Sequence, residues 1–230
     1  MRDGAGLALA LPIGATLVSL AFSIHLLVRA GRRRSRFEAA WGVALLMFAV
    51  ASGALVLGVL DGWSSAEFRA YWLFGAVLNV PYLALGEVYL LARRPWIGHA
   101  ALAVVLAATA WAAAEVRTAP LDATVLRETF FTGREVLGGD SAALVLARVY
   151  SFAGYGLLLA GILWSAVGMR GRPELRRRFA GVGLIALGAT VVAAGSAFAA
   201  AGSFPGFSLT LAAGIAVMYW GFLVATRRPA

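Results

Sequence analysis

Cysteine and lysine are both missing from the 230 residues, and each absence removes a branch of chemistry. Without cysteine there is no disulfide, no thiolate metal site and no cysteine nucleophile. All twenty basic residues are arginine, so no Schiff base to retinal or pyridoxal can form and there is no P-loop lysine. A retinal-binding protein, the obvious guess for a seven-helix chain, is thereby rejected. The two histidines, His25 and His99, are too few for a histidine metal cluster. No HExxH, no GxSxG, no paired intramembrane aspartates and no histidine pair at i, i+4 spacing occur. The expectation is a protein with no catalytic residue, no metal, no cofactor and no enzymatic activity.

Charge is also scarce, at 13% of residues, whereas 61% are hydrophobic and the mean hydropathy is +0.84. That balance belongs to an integral membrane protein. A spanning helix needs about 20 apolar residues, and seven such runs lie near 7–28, 39–60, 71–91, 97–114, 149–169, 179–201 and 207–226. The predicted fold is therefore all-α, a polytopic bundle of seven transmembrane helices forming a single domain over residues 1–230. The fourth run is the shortest, and its alanine-rich text suits a buried helix as well as a spanning one.

The arginines give the threading. Arg29, Arg32, Arg33, Arg34, Arg36, Arg93, Arg94, Arg170, Arg172, Arg176, Arg177, Arg178, Arg227 and Arg228 fall in one set of connections, against only Glu38 and Glu174. The alternate connections hold six arginines against eight acidic residues. Because cytoplasmic loops retain positive charge, the N-terminus is expected outside and the C-terminus inside. The net charge of +9 then reads as a topology signal and a contact with anionic lipid head groups, not as a nucleic-acid surface. Residues 1–30 read as an uncleaved first helix, since their apolar run is long and the positive cluster follows it. The 115–148 loop faces outside as a partly ordered cap, with the FFTG aromatics expected at the membrane interface. Interfacial anchoring is also the default for Tyr82, Tyr89, Tyr150, Tyr155, Tyr219, Trp72, Trp164 and Trp220, and small residues such as Ser52, Gly53 and Gly195 are expected at helix contacts.

An internal echo suggests duplication. RFEAAWGVALLMFAVASG at 36–53 aligns without gaps on RFAGVGLIALGATVVAAG at 178–195 with seven identities in eighteen positions, and LLARRP at 90–95 echoes VATRRP at 224–229. The arrangement this predicts is 3+1+3, with parallel repeats over 7–95 and 149–229. Sugar transporters of the SWEET type share that outline, but their proline-glutamine pair is absent, so the similarity is topological.

The stretch LNVPYLALGEVYLLARRP at 78–95 holds the candidate site. Asn79 falls near the bilayer centre and needs a partner inside the bundle. Pro81 cannot donate to the Val77 carbonyl, so it frees an acceptor beside Asn79 and is expected to bend the helix. Glu87 lies about 6 Å from the inner end at about 1.5 Å per residue, at the same expected depth as His25 on the first helix. Three roles are open to Glu87: an interfacial carboxylate that snorkels or pairs with Arg93 or Arg94, a buried structural pair with His25, or a proton or substrate site.

FRAYWLFGAVLNVPYLALGEVYLLARRP at 68–95, with RGRPELRRRF at 170–179, resembles a group of bacterial seven-helix membrane proteins without an assigned function. The resemblance implies the topology and a bacterial cytoplasmic membrane, and it brings no site residue with it. The function expected is non-enzymatic: binding or transport of a small or lipophilic molecule between two three-helix halves, lined by His25, Asn79, Pro81 and Glu87. The alternative is a membrane sensor or accessory subunit acting through a cytoplasmic or membrane partner. A protein partner or a second copy of the chain is compatible with either.

Overall fold

The computed structural model describes residues 2–128, 131–172 and 175–226, the first seven of these by backbone alone. Glu174, Arg227, Arg228, Phe130 and the end of the VATRRP echo, all used in the sequence reading, lie outside the described residues. The protein is all-helical, 87% helix, and among the described residues seven helices are long and apolar enough to cross a membrane. They are α1 (Arg2–Arg33), α2 (Arg36–Asp61), a third span made of α3 (Ser65–Tyr71), a π-helical segment (Trp72–Leu78) and α4 (Asn79–Leu91), then α5 (Pro95–Thr118), α7 (Ala142–Met169), α8 (Arg176–Ala200) and α9 (Phe204–Thr226). The short α6 (Gly133–Leu137) lies in the long connection. This is the architecture of a multi-pass membrane protein.

The first, third and fifth spans begin one to two turns earlier than hydropathy places them, and local chemistry explains the third. Ser64 accepts from the Glu67 N–H at 3.2 Å while Glu67 accepts from the Ser64 N–H at 2.8 Å. This reciprocal cap starts the third span at Ser65, ahead of its apolar run. The fifth span begins at Ala142, since Leu144, Leu146 and Ala147 are buried although charged Arg148 interrupts the apolar text.

Contacts between neighbours follow the order α1, α2, α4, α7, α8, α9 and back to α1, so six spans close a ring. The α5 helix lies outside it, on α4 and α7. Its 24 residues are enough to span, and only 11% of its most apolar window is buried. The alternative of a buried fourth helix is therefore overturned. Alanine there lowers bulk and not exposure; Val104, Leu106 and Trp111 point outward.

The tightest pair is α8 and α9. Glycines at 181, 188 and 195 recur every seven residues, which keeps them on one helix face, and they meet Gly214 and Gly221 on α9. A Cβ at Gly188 would lie 2.6 Å from the Gly214 carbonyl oxygen, and one at Gly221 would lie 2.7 Å from that of Gly181. Such approach of two backbones is available only to small residues. Gly195 takes part as expected, facing Thr210, whereas Ser196 is exposed.

The described residues of the connection, 119–128 and 131–141, form a cap. Arg69 of α3 donates to the carbonyls of Val116 and, at 2.9 Å, Ala119, closing the C-terminal end of α5. Asp122 accepts from the Thr124 hydroxyl at 2.5 Å and from the Thr124 N–H at 2.8 Å; these bonds, the hydroxyl's first, hold its carboxyl below the usual range. Glu135 closes a second reciprocal cap with Thr132, and the Thr132 N–H lowers its carboxyl likewise. Leu126, Val136 and Leu137 are buried beneath. Phe131 packs on Trp63 and Phe68 at ring separations of 5.2 and 5.8 Å. Phe131 of the FFTG aromatics thus joins an aromatic cluster where the cap meets α2 and α3.

Candidate functional site

His25 and Glu87 are separated by the ring. The Nδ1 of His25 lies 3.3 Å from the Tyr219 hydroxyl of α9, and its imidazole meets the Tyr219 and Phe222 rings edge-on. Glu87 projects from α4 toward α7, where a Cβ on Gly161 would come within 2.2 Å of its Cγ. The proposed His25–Glu87 pair is thus overturned. Equal depth along two spans places residues at one level only; the helix neighbours decide which meet, and α1 presents His25 to α9. Both residues nonetheless lie where the α1–α2–α4 group meets the α7–α8–α9 group, on two different seams.

Glu87 is 1% exposed, and neither carboxylate oxygen has a hydrogen-bond partner among the described residues. The expected pairing with Arg93 or Arg94 is therefore absent. A buried carboxyl left in this state costs several kcal/mol unless it is protonated or meets a ligand. Its environment is a lateral groove of about 370 Å³ between α4, α5 and α7, bordered by Leu91, Ile97, Leu157, Gly161 and Trp164 with Glu87 at the floor. Glu87 is the one ionisable side chain among those that line it. Trp164 at the rim is 71% exposed.

Around Pro81 the helix changes register. Immediately before α4 the backbone widens into the π segment, a register shift of the kind that accommodates a missing donor. In i→i−5 register the donor for the Ala76 carbonyl would be residue 81, which has no N–H. Ser151 of α7 donates to that carbonyl instead, at 3.0 Å. The carbonyl that takes an outside donor is thus Ala76 and not Val77, and the bond ties α7 to the third span. Asn79 is buried, and its side chain makes no hydrogen bond among the described residues, contrary to the partner expected for a central amide. It does not share the groove with Glu87.

The α2 helix supports the site from behind. The Trp41 indole donates to the Leu83 carbonyl at 2.9 Å, and it lies so close that a Cβ on Gly86 would be 2.0 Å from its Cδ1. Glycines at 86 and 161 thus let an indole and a carboxylate enter the α2–α4 and α4–α7 contacts. Neither was legible beforehand, because a glycine in so glycine-rich a chain carries no mark of what it faces.

A second buried carboxylate had been read as a loop charge. Glu38, 2% exposed, accepts from Arg29 Nη2 at 2.9 Å, and the guanidinium sits 5.0 Å from the centre of the Phe222 ring. With His25 and Tyr219 this makes a polar and aromatic cluster joining α1, α2 and α9. Its sequence signal was the spacing of Arg29 and Glu38 across a two-residue turn. Trp72 and Tyr82 are buried and Tyr219 half-buried: Trp72 donates to the Ala143 carbonyl at 3.1 Å, and the Tyr82 hydroxyl lies 3.3 Å from that of Thr109. Large aromatics bring a polar tip that finds a partner when buried.

No protein-family model, curated protein or solved structure matches the chain.

Proposed function

We propose that this is a non-enzymatic membrane protein that binds a small lipophilic molecule at the seam between its two three-helix groups, with the N-terminus outside and the arginine-rich end in the cytoplasm. The observation that carries the reading is the groove between α4, α5 and α7, whose walls are apolar and whose floor is an unpartnered buried carboxyl. Its volume of about 370 Å³ falls within the range of small-molecule sites, which combine apolar walls with a few placed polar groups. The groove opens sideways between helices, so a molecule dissolved in the bilayer reaches it without crossing water.

The test uses a neutral probe, a long-chain alcohol carrying a diazirine, photolysed with the protein in lipid nanodiscs and mapped by peptide mass spectrometry. Labelling concentrated on α4 and α7 around the groove, and lost when Ala160→Trp fills it, is the expected result. Labels spread evenly over the exposed helices, unchanged by Ala160→Trp, would remove the binding reading.

A further inference from the structure

We infer that the molecule bound in this groove is a lipophilic amine, a protonated primary or secondary ammonium on an apolar body, with the Glu87 carboxylate as its counter-ion. The inference rests on the binding reading above and names the chemistry of the ligand.

The argument is one of charge complementarity. The side chains that line the groove beside the carboxylate carry no positive charge. From α4 itself, Val88 and Leu91 face the groove; from α5, Ile97; from α7, Leu157, Gly161 and Trp164. None is cationic. Arg93 and Arg94 follow one turn beyond α4, yet neither bonds to Glu87. His99 of α5 is engaged edge-on with the Tyr89 ring, 6.3 Å between centroids. The protein contains a buried carboxylate whose compensation is internal, Glu38 with Arg29, which shows what a structural solution looks like in this fold. Glu87 has no such partner among the described residues, so a cation entering the groove would supply there the compensation that Arg29 gives Glu38.

One further feature favours a cation over a neutral donor. Trp164 borders the groove, and an indole is the aromatic ring that attracts ammonium groups best, more strongly where water is excluded. Gly161 gives its missing Cβ's space to the Glu87 side chain, whose Cγ would lie 2.2 Å from a Cβ there, so the carboxyl packs directly against α7 beside the groove. The apolar walls take the ligand's hydrocarbon, and an acid or phosphate would place like charge beside Glu87 and be repelled.

The experiment compares three bromine-bearing probes of equal chain length, 12-bromododecylamine, 12-bromododecanol and 12-bromododecanoic acid, by quenching of tryptophan fluorescence in nanodiscs. The difference between wild type and Trp164→Phe isolates the signal at the groove. The amine is expected to quench Trp164 at a concentration at least tenfold below the alcohol, with the acid weakest, and Glu87→Gln is expected to erase the amine's advantage while leaving the alcohol's quenching in place. Equal potency of amine and alcohol in wild type overturns the amine assignment and leaves the binding reading standing; that comparison needs no variant of Glu87 to fold. An amine advantage that survives Glu87→Gln overturns the counter-ion role. Absence of Trp164-specific quenching by all three removes the binding reading together with the assignment.

Discussion

Glu38 and Glu87 are both buried, and they differ in what meets them. The Arg29 guanidinium compensates Glu38 across the turn between α1 and α2 and stacks over Phe222, so it serves three helices at once. Removing only the arginine, as in Arg29→Met, strands the carboxylate, and loss of one partner of a buried pair costs about 3–5 kcal/mol. Glu87→Met should behave in the opposite way. It replaces an unpartnered polar group by an apolar one of similar length, which is neutral or stabilising when no hydrogen bond is lost. Thermal unfolding in detergent of the two variants checks this: Arg29→Met is expected to melt well below wild type and Glu87→Met at or above it. A fall for Glu87→Met would mean that the carboxyl has a structural partner after all.

Among the elements, α8 and α9 are held by backbone proximity and α5 by little. The heptad glycines bring two helices together where a single methyl group would strike a carbonyl oxygen. Gly188→Leu is therefore expected to pry α9 from α8 and lower the melting temperature, overpacking costing about 1–3 kcal/mol or more. Gly183→Ala, where an added Cβ meets nothing within 4 Å, should leave stability unchanged or raise it slightly, since alanine favours the helix by up to about 1 kcal/mol. Because propensity favours both replacements over glycine, equal losses from both would show that the loss at Gly188 does not come from its contact with Gly214. The third span gains its rigidity otherwise, through Ser151 on the Ala76 carbonyl and Trp41 on that of Leu83. Both bonds hold the span that carries Glu87, one within its widened segment and one in α4.

For the whole molecule, the arginine asymmetry makes a prediction that the absence of cysteine renders easy to read. A single introduced cysteine is the only thiol in the chain. Arg172→Cys, in the connection before α8, is expected to be shielded from a membrane-impermeant maleimide in intact cells and labelled after permeabilisation; Asp140→Cys, in the cap, should label in both. The reverse pattern would invert the orientation, and with it the end of the bundle to which the Glu87 groove is closer.

The sequence by itself determined the class, the number of spans and the places where the chain turns. These depend on hydrocarbon thickness and on local hydrophobicity, both of which act on one segment at a time. Asn79, Pro81 and Glu87 were legible as anomalies for the same reason, since a polar residue or a proline in an apolar run needs no neighbour to be noticed. Tertiary structure alone decided what each anomaly meets. In a bilayer the helices gain little from hydrophobicity when they associate, so small-residue contacts and polar bonds choose the neighbours, and these involve residues far apart in the chain. Gly161 opposite Glu87, Ser151 opposite Ala76 and Tyr219 opposite His25 are such choices. They turned one expected polar pair into a structural cluster on the α1–α9 seam and a solitary carboxyl on the α4–α7 seam.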